Sequence, residues 1–314
     1  MKFVSFRTRA GIDSVGVLES ETTLVDLGSL VKNTGSAGLS PIRALLVATG
    51  GRLAFTADEL AGLDRVDLDQ VNYAPIVPDP TKIIAAPVNY RDHQAEMMED
   101  YHIDSLGVFL KAPSSVIGHE DTITLPYTDR RFDQEGELAL VIGRTARDLA
   151  VEDALDVVAG YTCLLDITMR GGEDRSTRKS FDTFTPVGPY LVTPDEVGDL
   201  ATLQLRTRVD GALRQDADIK DLIWGVPELI SYASSVMTLN PGDIITTGTP
   251  AGIGQITDGN TISVDLDRIG ILTVDVTSVG AVACPTKGAT RGPKPPEEIT
   301  QVRDRTAVAS STSW

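Results

Sequence analysis

Apolar and polar residues alternate along much of this chain with the period of two that β-strands impose, because successive strand side chains face opposite ways. Near the start the pattern predicts short strands at KFVSFR, SVGVLE and TLVDLG. From Lys82 to about Cys284 strands dominate: KIIAAP, GVFLK, TITLP, ELALVIG, AGYTCLLDIT, GPYLVT, ATLQLRTRVDG, DIITTG, TISVDLD and ILTVDVTSV. Many carry Val, Ile and Thr at alternate positions, which suits a pleated, half-buried surface. Helical spacing of apolar residues appears instead at residues 41–48, 57–63, 90–99, 151–158 and 220–237. Long strands with scattered helices predict an α+β fold built on a rolled or barrel-like mixed sheet.

Pro75, Pro78 and Pro80 mark a linker. Residues 1–75 therefore read as a small N-terminal α/β module and residues 76–284 as the main domain. From Pro285 the chain becomes rich in Pro, Ser and Thr, and residues 285–314 are expected to form a disordered tail.

Two places break the apolar pattern. In FDQEGELALVIG, Glu135 and Glu137 precede the run from Leu138 to Ile142. Being two apart, they share a face, where they repel each other and lose hydration. The small Gly136 between them faces the other way, onto a side where a bulky residue is not expected to fit. In GYTCLLDITMR, Asp166 stands where Ile or Val is expected. Three carboxylates on apolar strands suit a hard divalent cation such as Mg²⁺ or Mn²⁺, which offsets their repulsion. Zinc fits less well, with only three His and no CxxC.

Composition narrows the function. A net charge of −17 argues against nucleic acid, which needs a basic face. No apolar run approaches the roughly 18 to 20 residues of a membrane span. The start, MKFVSFRTRAGIDSVGVLES, lacks the apolar core and cleavage site of a signal peptide, so a cytoplasmic location is expected. Cys163 and Cys284 alone make no disulfide framework. Positive charge is concentrated in MRGGEDRSTRKS, where Arg170, Arg175, Arg178 and Lys179 form a cluster able to hold a small anion.

His93 and Glu96, in NYRDHQAEM, share a face if that segment is helical. Such a pair is either a surface ion pair or, where the carboxylate orients the imidazole, a general base able to act on water. PGDIITTGTPAGIG, residues 241–254, carries four glycines, two prolines and three threonines. Such a segment either exposes N–H groups and hydroxyls to an anion or simply connects strands. It does not match GxxxxGK[ST], and no GxGxxG follows a strand, so nucleotide binding is not expected.

Six segments in order, NYRDHQAE, FLKAPSSVIG, FDQEGELALVIG, GYTCLLDITMR, RKSFDTFTPVGPYLVT and LNPGDIITTGTPAGIG, together resemble the fumarylacetoacetate hydrolase family in its catalytic-domain form. The resemblance implies a mixed β-roll, a homodimer, and a metal-dependent enzyme acting on a small anionic 2-oxo or dicarbonyl acid. It implies Glu135, Glu137 and Asp166 as ligands of Mg²⁺ or Mn²⁺, and His93 with Glu96 as a catalytic dyad on a segment that orders over the ligand. Lys179 matches a lysine that polarises substrate. Arg170 and Thr249 match substrate contacts, as do Tyr90 in NYRDHQAE and Lys111 in FLKAPSSVIG. The commoner family pattern after the metal Asp is close to VSARDxQ, whereas this chain has Gly171 in place of that Asp and Glu173 in place of the Gln, which leaves the specificity pocket open.

The activity implied is hydrolysis of a C–C bond in a 2,4-dioxo acid, an acylpyruvate or fumarylacetoacetate-like substrate, through a metal-stabilised enolate. Alternatives are an isomerase or decarboxylase of a 2-oxo or 2-hydroxymuconate-type diacid in aromatic catabolism. More remote is a non-catalytic acid-binding protein.

Overall fold

The computed structural model describes residues 1–31, 38–290, 292 and 294–305. The N-terminal part holds β1 (Lys2–Thr8), β2 (Asp13–Leu18), β3 (Thr23–Asp26), α1 (Gly28–Val31), α2 (Pro41–Thr49), α3 (Ala57–Ala61), β4 (Arg65–Asp67) and β5 (Val71–Tyr73). Next come β6 (Ile83–Ala85), α4 (Arg91–Glu96), α5 (Ile103–Leu106), β7 (Phe109–Lys111), β8 (Val116–Ile117), β9 (Thr122–Thr124), β10 (Phe132–Gln134) and β11 (Gly136–Ile142). The middle contains β12 (Val158–Leu165), β13 (Thr168–Met169), α6 (Arg175–Arg178), β14 (Thr185–Val192) and α7 (Pro194–Val197). Last are β15 (Gln204–Val209), β16 (Ala212–Asp218), α8 (Val226–Val236), β17 (Ile244–Thr246), β18 (Gly254–Gln255), β19 (Thr261–Leu266) and β20 (Gly270–Thr277).

The α+β expectation holds. A large mixed sheet runs in the order β4-β3-β2-β1-β14-β12-β11-β17-β6-β7, a second in the order β16-β15-β19-β20-β9, and a small third as β13-β10-β18. Among the described residues no sheet closes into a barrel. The N-terminal strands continue the large sheet, since Phe3 of β1 pairs with Leu191 of β14. Phe3 and Leu45 also share a core with Val141 and Ile244, so residues 1–75 fold onto the main domain.

The apolar run of β11 reflects cover on both faces. Leu138, Leu140 and Ile142 pack in one core and Ala139 and Val141 in another. The second sheet lies across the Leu138 face, where the Gln215 side-chain carbonyl accepts the Gly136 N–H at 2.9 Å. A Cβ on Gly136 would lie 2.0 Å from Thr207 Oγ1, which accounts for glycine between the two glutamates. Gly136→Ala is expected to cost about 1–3 kcal/mol through overpacking. Urea unfolding measures it, and an unchanged midpoint would contradict the close approach.

Two expected helices are shorter than their patterns. Residues 151–158 form a 3₁₀ segment, Val151–Val157. The 220–237 pattern is interrupted before α8, whose N-cap is Gly225 and whose first turn holds Pro227. Strand β16 was not expected, because ALRQDAD is polar and half exposed; it forms through pairing with β15. No helix among the described residues is long and apolar enough to cross a membrane.

Candidate metal centre and active site

Strand register assembles the carboxylates. Gly136 of β11 opposes Leu165 of β12 in antiparallel pairing. The residue before β11 and the residue after β12 must therefore meet, and the Asp166 N–H donates to the Glu135 carbonyl at 2.8 Å. Glu135, Glu137 and Asp166 each bring one oxygen within 4.8 Å of the others, and they are 4%, 2% and 1% exposed.

Buried cations surround them. Lys179 Nζ donates to Glu135 at 2.7 Å, to Asp166 at 2.6 Å and to Thr168 Oγ1 at 2.6 Å. Arg170 bridges Glu135 and Asp133, each at 2.7 Å. Lys111 Nζ bonds Asp166 and, at 2.8 Å, the Phe184 carbonyl. Burial pushes the Glu135 carboxyl up, but Lys179, Arg170 and His93 outweigh it and hold the group below the usual carboxylate range. Glu137 goes the other way: burial first, then the neighbouring Asp166, push it up to about 8.

Four buried acids (Asp133, Glu135, Glu137, Asp166) thus face three buried cations (Lys111, Arg170, Lys179), and Glu137, raised to about 8, is the acid that holds on to its proton. Three converging hard oxygen donors, one of which would give up its proton to an ion, fit a divalent cation of the Mg²⁺ or Mn²⁺ type.

The glycine-rich segment 241–254 receives anions that belong to the protein itself. The Gly248 N–H donates to Glu137 at 2.8 Å, and the Thr246 hydroxyl donates to the same oxygen. The Gly252 N–H donates to Glu96 Oε1 at 2.9 Å. The other Glu96 oxygen meets His93 Nδ1 at 2.9 Å across one turn of α4. With its proton on Nδ1, where the carboxylate accepts it, the imidazole keeps Nε2 as an acceptor.

His93, the three carboxylates, Lys179 and Arg170 line one cavity. Thr249 also lines it, but its hydroxyl donates to the Gly136 carbonyl and accepts from Gln215. Tyr90 and Lys111 are not part of its wall. Tyr90 is buried with no hydrogen-bond partner on its hydroxyl among the described residues, and Lys111 is spent on Asp166 and the Phe184 carbonyl. Glu173 turns outward to Arg130 at 2.5 Å. A Cβ on Gly171 would lie 2.2 Å from the same guanidinium, so both departures from VSARDxQ sit against Arg130.

Sequence reading missed Asp133, although it precedes Glu135 by two residues and shares its alternation. Gln215 and Thr168 carried no signal, since polar residues at half-buried strand positions look like ordinary surface.

A mixed-sheet α+β fold thus carries a buried carboxylate triad in a cavity also lined by Arg170, Arg175, Arg178 and Lys179, an arrangement suited to a divalent cation and a small anion. Residues 82–277 match the family model described as fumarylacetoacetate (FAA) hydrolase C-terminal. The chain belongs to the fumarylacetoacetate hydrolase family. It is 45% identical over 226 residues to a maleylpyruvate hydrolase of Aquipseudomonas alcaligenes, covering 68% of this chain and 79% of that protein. It is 40% identical over 229 residues to the oxaloacetate tautomerase YisK of Bacillus subtilis (strain 168), covering 68% and 76%. A crystal structure of maleylpyruvate hydrolase from Sphingobium sp. SYK-6, in complex with manganese(II) ion and pyruvate, superposes with a TM-score of 0.76 at 39% identity, covering 88% of this chain and 99% of that one.

Proposed function

We propose that this protein is a divalent-metal-dependent hydrolase that cleaves the C–C bond of a 2,4-dioxo acid carrying a second carboxylate. The observation that carries the reading is the His93–Glu96 dyad, whose imidazole lines the same cavity as the carboxylate triad. Glu135, Glu137 and Asp166 would hold the ion, which when bound supplies Lewis-acid polarisation of the substrate's oxo oxygen. The remaining chemistry belongs to the side chains. His93 Nε2 takes a proton from water while Glu96 steadies the ring, and the resulting hydroxide adds to the distal carbonyl carbon. The bond from that carbon to the methylene breaks, and its electron pair goes to the 2-oxo acid half. That half recovers the proton from His93, leaving a carboxylic acid and a 2-oxo acid. Lys179 places a positive charge where the substrate carbonyl becomes negative, and Arg170 holds Glu135 and Asp133 in position.

Two further arginines support a diacid. Arg178 lines the cavity without an ion pair among the described residues, and Arg175 stands 5.8 Å from the Phe109 ring centroid. Burial and the nearby Arg170 lower the pKa of Arg178, so a substrate carboxylate would complete its surroundings. Arg178→Gln is expected to raise KM for a diacid acylpyruvate about 10- to 100-fold, the worth of one charged hydrogen bond. A monoacid acylpyruvate is expected to change by less than about threefold. Equal losses on both substrates would remove the second-carboxylate role.

The Bacillus relative favours a second reading, in which the same site moves a proton without adding water. Incubation with an acylpyruvate and Mn²⁺ decides: two acids separated by chromatography support hydrolysis, whereas enol–keto interchange alone overturns it.

A further inference from the structure

We propose that the C-terminal extension is a strap that completes the dyad, with Thr300 as a positioning residue for Glu96 and Arg303 and Arg305 as its anchors; this rests on reading Glu96 as the partner of the catalytic base. The extension lies beyond residue 277, where the family match ends. Thr300 Oγ1 donates to Glu96 Oε1 at 2.6 Å, on the oxygen that also receives the Gly252 N–H. With His93 on Oε2, the Glu96 carboxylate is bonded on both oxygens, and its side chain is 1% exposed.

The strap is pinned on both sides of Thr300. Before it, Arg131 Nη1 donates to the Pro296 carbonyl at 3.0 Å, and the same guanidinium meets Asp133 at 2.7 Å. After it, Arg305 forks onto Asp216 at 2.6 and 2.9 Å and reaches Asp218 at 2.9 Å. Arg303 meets Asp221 at 2.7 Å. A planar guanidinium binding one carboxylate through two N–H groups fixes direction as well as distance. The acidic run QDAD of β16 thus acquires a role as the strap's mooring.

Helix α4 needs such support. It spans six residues, its N-cap Tyr90 makes no side-chain cap bond, and Met98 beyond its end is 84% exposed. A helix this short is marginal without tertiary contacts. The strap supplies one at the residue that orients the base, so loosening it is expected to reduce turnover more than substrate binding.

The test uses the full chain with Mn²⁺ and compares Thr300→Val, Thr300→Ser and the double variant Arg303→Gln/Arg305→Gln. Amide hydrogen exchange of residues 91–97 is read in all of them, alongside kcat and KM for acylpyruvate cleavage. Thr300→Val and the arginine pair are expected to speed exchange of α4 and to lower kcat about tenfold, the worth of one hydrogen bond to a charged group. KM is expected to stay within about twofold, and Ser to restore both readouts. Unchanged exchange in both loosened variants overturns the strap, whatever reaction the enzyme performs. Faster exchange with Ser rescue supports it even if the parent proves to be a tautomerase, in which case only the hydrolytic reading falls. A kcat loss that Ser does not restore also counts against the hydroxyl's role.

Discussion

Glu135→Gln is expected to bind Mn²⁺ at least about 100-fold more weakly than the parent, since even partners one shell further from a metal cost 10–100-fold when removed. Catalysis is expected to fall with it. Glu135 is the informative member of the triad because its neighbours survive its neutralisation. Lys179 keeps Asp166 and Thr168, and Arg170 keeps Asp133. Asp166 is a poorer choice, because among the described residues it is the only carboxylate paired with the fully buried Lys111, and leaving that ammonium unpaired costs about 3–5 kcal/mol. Titration calorimetry with Mn²⁺ on Glu135→Gln, with thermal unfolding as the control for folding, separates the two effects. Parent-like Mn²⁺ affinity in a folded variant removes Glu135 from the metal centre.

The triad was legible in sequence because it violates a local rule: carboxylates at the ends of apolar strands demand a partner. The dyad was legible for a similar reason, since a three-residue spacing on a helix places two side chains together without any knowledge of the fold. What stayed hidden depends on contacts between distant parts of the chain. Lys111 was expected at the substrate on the resemblance, and only the sheet shows it paired with Asp166, 55 residues later. For the glycine-rich segment the sequence left open an anion receiver or a plain strand connection, and the anions it meets are Glu137 and Glu96, which only the β11–β17 pairing and the placement of α4 reveal. Strand β16 lacks the apolar alternation that marks a strand, because its buried positions include the polar Gln215 and Asp218 and it forms by pairing with β15. The expected tail, 285–314, has its last residues, 306–314, outside the described residues; its described part lies against Arg131, Glu96 and β16.

His93→Ala is expected to lower acylpyruvate cleavage by about 10²–10⁴-fold, the range a positioned general base contributes. Enol–keto interchange of the same substrate, followed by its ultraviolet absorbance, is expected to fall by less than about tenfold, because the triad, Lys179 and Arg170 remain in place. The split follows from what each reaction requires. Cleavage needs a water molecule stripped of a proton beside the distal carbonyl, and among the described residues His93 is the only imidazole lining the cavity. Interchange needs only a polarised 2-oxo group and a local proton carrier, which the buried cations and carboxylates supply. Glu96→Gln gives the finer measurement. The amide can still accept from Nδ1, but it loses the charge that makes such bonds roughly twice as strong as neutral ones, so an intermediate loss of cleavage is expected. Equal collapse of both reactions in His93→Ala would make the imidazole a general proton carrier and withdraw the water-activating role. A selective loss of cleavage ties hydrolysis to the dyad and leaves the carboxylate centre as the part of the site common to hydrolysis and tautomerisation.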